Sequence, residues 1–159
     1  MTEFEPAVLV LAAALRASAR KLVTAESCTG GMIAAACTAV AGSSDWFERA
    51  FVTYSNEAKI ESIGVPAALI QAHGAVSAEV ARAMAEGALR HSHADLAVAV
   101  TGIAGPTGAT PGKPVGTVWL AIAQPGRETQ TELLNLGGDR AAVRSQTVQI
   151  ALQRLIESA

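Results

Sequence analysis

Residues 95–101 read DLAVAVT and run directly into residues 102–116, GIAGPTGATPGKPVG. The first stretch is almost wholly apolar and β-branched at alternate positions. Such a strand is expected where a sheet is covered on both faces. The second stretch is dense in glycine and proline. At 15 residues it is longer than an ordinary connector, and loops of that length are commonly functional or disordered. A buried strand that delivers a long loop at its carboxyl end is the usual ligand-binding arrangement of an open α/β sheet.

The neighbouring segments alternate in character. Upstream, residues 78–92 form a helical pattern capped by Ser77, with Glu79 near its positive end. Residues 56–63 form a shorter one, with Asn56 as candidate N-cap and Gly64 closing it. Residues 50–55, AFVTYS, have strand composition. Residues 29–40, TGGMIAAACTAV, suggest a buried helix of small side chains after the short extended run 21–25, KLVTA. Residues 6–20 form an Ala/Leu-rich helix with cations at its end. Downstream, residues 117–123 and 128–136 pair as strands across the turn Gln124-Pro125-Gly126-Arg127. Asp139 caps a last helix to about residue 157. This order implies an α/β fold, a single-domain three-layer α/β/α sandwich with a mixed sheet over residues 1–159.

Composition sets outer limits. The chain has 159 residues, 50% hydrophobic, 16% charged and 4% aromatic, with net charge −2 and 34 alanines. The apolar content is too high for disorder. The charge lacks the basic excess of a nucleic-acid binder. No stretch approaches the roughly 20 apolar residues needed to span a membrane. The first ten residues carry two acids and no basic residue, unlike a secretory leader. Cys28 and Cys37 are the only cysteines. On one helix they would lie about 13 Å apart along its axis, too far to bridge. A reducing, cytoplasmic setting is therefore expected. His73, His91 and His93 stand in no ligating pattern, so no metal site is expected.

Four segments could carry chemistry. In residues 24–31, TAESCTGG, Ser27 and Cys28 sit where a strand gives way to a helix. A helix start offers free N–H groups, and Gly30 and Gly31 would let a ligand come close to them. Alternatively, Ser27 or Thr29 simply caps the helix. In residues 51–59, FVTYSNEAK, Lys59 falls in the first helical turn. The helix field and burial would lower its pKa toward that of a useful base, or it is a solvated surface cation. Tyr54 is either core filler or a proton relay. Thr101 and Gly102 open the long loop, and Arg140 could meet a phosphate or pair with Glu128 or Glu132.

Taken in order, TAESCTGG, GSSDWFERAFVTYSNEAK, IGV, HGAVS, VTGIAGP, KPVGTVW and GDR resemble the CinA C-terminal domain family. The likeness runs from about residue 21 to the last helix, and most resembles the family's stand-alone form. Residues 106–113, PTGATPGK, depart from the family's usual loop, with Gly112 where an acid is common. The resemblance implies hydrolysis of the carboxamide of nicotinamide mononucleotide to nicotinate mononucleotide and ammonia, without a cofactor. It places the serine nucleophile on Ser27, the lysine on Lys59 and the tyrosine on Tyr54. Cys28, Thr29, Gly30, Gly31, Asn56, Thr101, Gly102 and Arg140 are then the expected substrate-binding residues. A Ser–Lys pair can perform nucleophilic and proton-transfer work without histidine. A homodimer or higher homo-oligomer is expected. A related amidase or esterase, or a catalytically silent domain binding a nucleotide or a protein, are the competing readings. Six aromatics limit which ring could stack on a nicotinamide, with Trp46, Phe47, Tyr54 and Trp119 in or beside the motifs.

Overall fold

In the computed structural model, which describes residues 1–159, one five-stranded mixed sheet lies between two helical layers. The strands are β1 (Leu22–Glu26), β2 (Phe47–Val52), β3 (Leu96–Gly102), β4 (Thr117–Ala123) and β5 (Gln130–Asn135). The helices are α1 (Glu5–Ala17), α2 (Met32–Thr38), α3 (Asn56–Ile63), α4 (Ala67–His73), α5 (Ala78–Arg90) and α6 (Arg140–Ser158). The strand order is β2-β1-β3-β4-β5. β1 is parallel to both β2 and β3, while β4 and β5 run antiparallel. The chain leaves β1 toward β2 on one side and returns to β3 on the other. The carboxyl ends of β1 and β3 therefore flank a switch point, where open sheets leave a crevice for ligands.

The two faces of the sheet differ in kind. Leu96, Val98 and Val100 of β3, with Val118, Leu120 and Ile122 of β4, pack toward α1, α2 and α6. The alternate residues Ala97, Ala99, Ala121 and Ala123 pack toward α5, which answers with Ala81, Ala85 and Ala88. Small side chains on both partners let α5 lie close to the strands. At Gly87 a methyl group would collide with the main-chain carbonyl of Ile63, so α5 and α3 also meet at short range. The largest buried group of alanines thus lines this interface.

Several boundaries differ from the sequence expectation. α4 was not anticipated, because seven residues after Pro66 carry too little periodicity to stand out. β2 begins at Phe47 and not at residue 50, because its register is set by β1, with Leu22 opposite Phe47 and Glu26 opposite Val52. Residues 53–55 peel away to start α3, whose N-cap is Ser55 and not Asn56. The Ser55 hydroxyl accepts the Ala58 N–H. α2 begins three residues later than expected, because Gly31 has φ +102° and holds the chain in a left-handed turn. Ser77 and Asp139 cap α5 and α6 through their side chains as expected. No helix is long and apolar enough to cross a membrane.

Candidate active site

Ser27 follows directly on β1, and its N–H donates to the Val100 carbonyl, extending the β1–β3 ladder by one residue. Lys59 approaches from the first turn of α3. Its side chain is almost entirely buried, at 1% exposure. The amino nitrogen lies 3.1 Å from Ser27 Oγ, 2.9 Å from the Thr53 carbonyl oxygen and 3.3 Å from that of Tyr54. No carboxylate pairs with it. Burial lowers the Lys59 pKa below the ordinary lysine value, with Cys28 acting weakly in the other direction. A neutral amine has two N–H bonds and one lone pair. With two carbonyls taking the N–H bonds, the lone pair is left for Ser27 Oγ.

The turn that carries Ser27 is held from two sides. Glu26, the last residue of β1, is fully buried. It accepts the hydroxyls of Thr24 and Thr29 and the N–H groups of Ile33 and Ala34. From α6, Arg144 donates to the carbonyls of Cys28 and Thr29. The N–H groups at the start of α2 are therefore taken by Glu26 rather than open to a ligand. The Cys28 N–H, beside Ser27, is taken by no backbone carbonyl. Burial raises the Cys28 thiol to about 11.

A cleft of about 310 Å³ opens over this pair. Ser27, Cys28, Tyr54, Asn56, Lys59, Thr101, Gly102 and Arg140 all line it. Thr29, Gly30 and Gly31 do not, and Thr29 is buried against Glu26. The Thr101 hydroxyl donates to the Ala75 carbonyl and ties down the opposite wall. Gly102 is required by close approach, since a Cβ there would stand 2.6 Å from Val118 Cγ2. Arg140 donates to the Gly105 carbonyl and to the Tyr54 hydroxyl, and not to Glu128 or Glu132. Glu132 is bound instead by Arg154. The Tyr54 hydroxyl is thus engaged with Arg140 rather than with Ser27 or Lys59. No acidic side chain lines the cleft, and Tyr54 is its only aromatic. Trp46 is fully buried, in edge contact with Phe47.

Sequence reasoning did not single out the wall formed by Ala75 and Val76, or Thr107 and Gly108 in the long loop. The HGAVS and GIAGP stretches were the available signals. Glu26 also went unassigned, although an acid inside an apolar strand is itself conspicuous.

Residues 5–159 match the CinA C-terminal domain. A CinA-like protein of Citrifermentans bemidjiense is 60% identical over 145 residues, which are 91% of this chain and 35% of that protein. A putative competence-damage inducible protein of Symbiobacterium thermophilum is 58% identical over 139 residues. This chain spans about a third of the length of these relatives. The nicotinamide-nucleotide amidohydrolase PncC of Escherichia coli K12 is 54% identical over 142 residues, 89% of this chain and 86% of that one. Among solved structures, the competence/damage inducible protein CihA from Agrobacterium tumefaciens superposes with a TM-score of 0.94 at 42% identity, covering 97% of this chain and 94% of that one. A CinA superfamily protein from Escherichia coli gives a TM-score of 0.94 at 35% identity, covering 98% and 90%. Fold, motif order and sequence agree throughout, and this chain belongs to the CinA C-terminal domain family.

Proposed function

We propose that this chain hydrolyses the carboxamide of nicotinamide mononucleotide to nicotinate mononucleotide and ammonia, with Ser27 as nucleophile and Lys59 as its base. The observation that carries this reading is the buried amine of Lys59, paired with no carboxylate, at 3.1 Å from Ser27 Oγ. The PncC relative of similar length supports the choice of substrate.

Lys59 takes the Ser27 proton as Oγ attacks the carboxamide carbon. The Cys28 N–H is available to the developing oxyanion. Lys59 then returns the proton to the leaving nitrogen, and ammonia departs. Water attacks the acyl-enzyme as Lys59 accepts its proton. Lys59 passes that proton to Ser27 Oγ as the bond from Oγ to the acyl carbon breaks, and nicotinate mononucleotide leaves with Ser27 and Lys59 restored. Tyr54 contributes its carbonyl to the Lys59 amine and its hydroxyl to Arg140. Arg140 is the cation placed for the substrate phosphate, in a cleft free of acidic walls that would repel it.

The test is ammonia release from nicotinamide mononucleotide by the purified protein, with product identified chromatographically and Ser27→Ala as control. Stoichiometric ammonia and nicotinate mononucleotide from the parent, and none from the variant, is the expected result. Binding of the nucleotide without turnover would instead favour a silent binding domain.

A further inference from the structure

The Glu26 side chain is fully buried, pairs with no cation, and meets four donors. Its Oε1 accepts the Thr29 hydroxyl at 2.6 Å and the Ile33 N–H at 2.8 Å. Its Oε2 accepts the Thr24 hydroxyl at 3.2 Å and the Ala34 N–H at 2.9 Å. A hydroxyl can reverse its role, but a peptide N–H can only donate. Each carboxyl oxygen faces one such N–H, so both must be acceptors. A carboxylate satisfies that condition. An amide sets a donor against a donor on one side whichever way it is turned.

The bonded groups also share a location. Thr24 belongs to β1, Thr29 to the turn after Ser27, and Ile33 and Ala34 to the first turn of α2. One carboxylate therefore joins the strand before the nucleophile to the turn and helix after it. Arg144 restrains the same turn from above through the Cys28 and Thr29 carbonyls.

We propose that Glu26 is a positioning residue for Ser27, holding its Oγ at the distance and angle from which Lys59 can take the proton. This rests on the Ser27–Lys59 reading given above. Glu26 touches neither the cleft nor the reacting atoms, so it acts only through the turn. Displacements near 1 Å at a reacting group can cost about 10²-fold in rate.

The experiment compares Glu26→Gln with Glu26→Asp in hydrolysis of nicotinamide mononucleotide, well below each variant's measured unfolding midpoint. Gln keeps the shape and loses one acceptor. Asp keeps both acceptors and shortens the reach. Glu26→Gln is expected to lower kcat about 10²-fold while KM stays within about twofold. Glu26→Asp is expected to retain more kcat than Glu26→Gln. A role limited to filling space predicts the reverse order, and that order overturns the proposal. So does Glu26→Gln with parental kcat. Should Glu26→Gln not fold, Thr29→Val decides. A kcat loss of about tenfold at constant KM, restored by Thr29→Ser, supports the inference, and parental kcat in Thr29→Val overturns it. An inactive parent, or an active Ser27→Ala, would instead refute the catalytic reading itself and this inference with it.

Discussion

The Lys59 amine stands 3.1 Å from the Ser27 hydroxyl with two main-chain carbonyls, and no carboxylate, as its other partners. Nothing there compensates a positive charge fully, so burial favours the neutral base. Lys59→Arg should be nearly inactive, because a guanidinium stays protonated at any working pH. Steady-state ammonia release measures this. In the parent, kcat/KM should climb with pH on a limb whose midpoint lies below the ordinary lysine value of 10.5.

The same shift links folding to pH. The Lys59 pKa is lower in the folded chain than in the unfolded one, so folding expels a proton between the two values. Below the folded value the buried charge opposes folding in full, and above 10.5 that penalty is gone. The parent's stability relative to Lys59→Met should therefore rise as pH climbs through this window. Urea unfolding of both proteins at several pH values tests it.

Cys28 is the neighbour that could be mistaken for the nucleophile. Its thiol, raised to about 11 by burial, is protonated at neutral pH and a poor nucleophile. Cys28→Ala should keep kcat within a few-fold, whereas Ser27→Ala should lose on the order of 10⁴-fold. Iodoacetamide should label Cys28 slowly in the folded protein, as followed by mass spectrometry.

Arg140 is the exposed cation of the cleft and faces no acid there. Nicotinamide riboside, which lacks the phosphate, should be the poorer substrate. Arg140→Ala should lower kcat/KM for the mononucleotide by roughly 10- to 100-fold and narrow the gap between the two substrates. Equal efficiency for both in the parent would reject the phosphate contact.

Gly87 tests the close packing of α5. Helix propensity alone gives Gly87→Ala a gain of about 1 kcal/mol. The Ile63 carbonyl occupies the space the methyl would need, so a net loss of about 1–3 kcal/mol is expected. Chemical denaturation reads the sign directly.

How far the sequence carried the reading depended on whether a feature was local. β4 falls on residues 117–123 as expected, because its short apolar run is bounded by glycine and a proline turn. Ser77 and Asp139 were legible because a cap is a short-range hydrogen bond. Ser27 and Lys59 were legible as candidates from motif order, yet their distance depends on three elements meeting. The limits of β2 follow from its partner's register, which no single strand records. The partner of the Tyr54 hydroxyl, Arg140, lies 86 residues away and leaves no mark on the segment around Tyr54. Thr29, Gly30 and Gly31 looked like an open anion cradle. A buried carboxylate from the preceding strand had already filled the adjoining helix start.

The hold on Arg140 has a thermodynamic consequence for whatever it meets. A guanidinium has five N–H donors, and here one goes to Gly105 and one to Tyr54. Three remain. An arriving anion finds a long, flexible side chain already restrained in orientation by two contacts from distant parts of the chain. The rotamer entropy such a side chain ordinarily surrenders on binding, about 0.5–1.5 kcal/mol, has largely been given up during folding. Tyr54→Phe should then weaken phosphate recognition without removing any group that touches the phosphate, an effect visible as a larger unfavourable binding entropy in calorimetry.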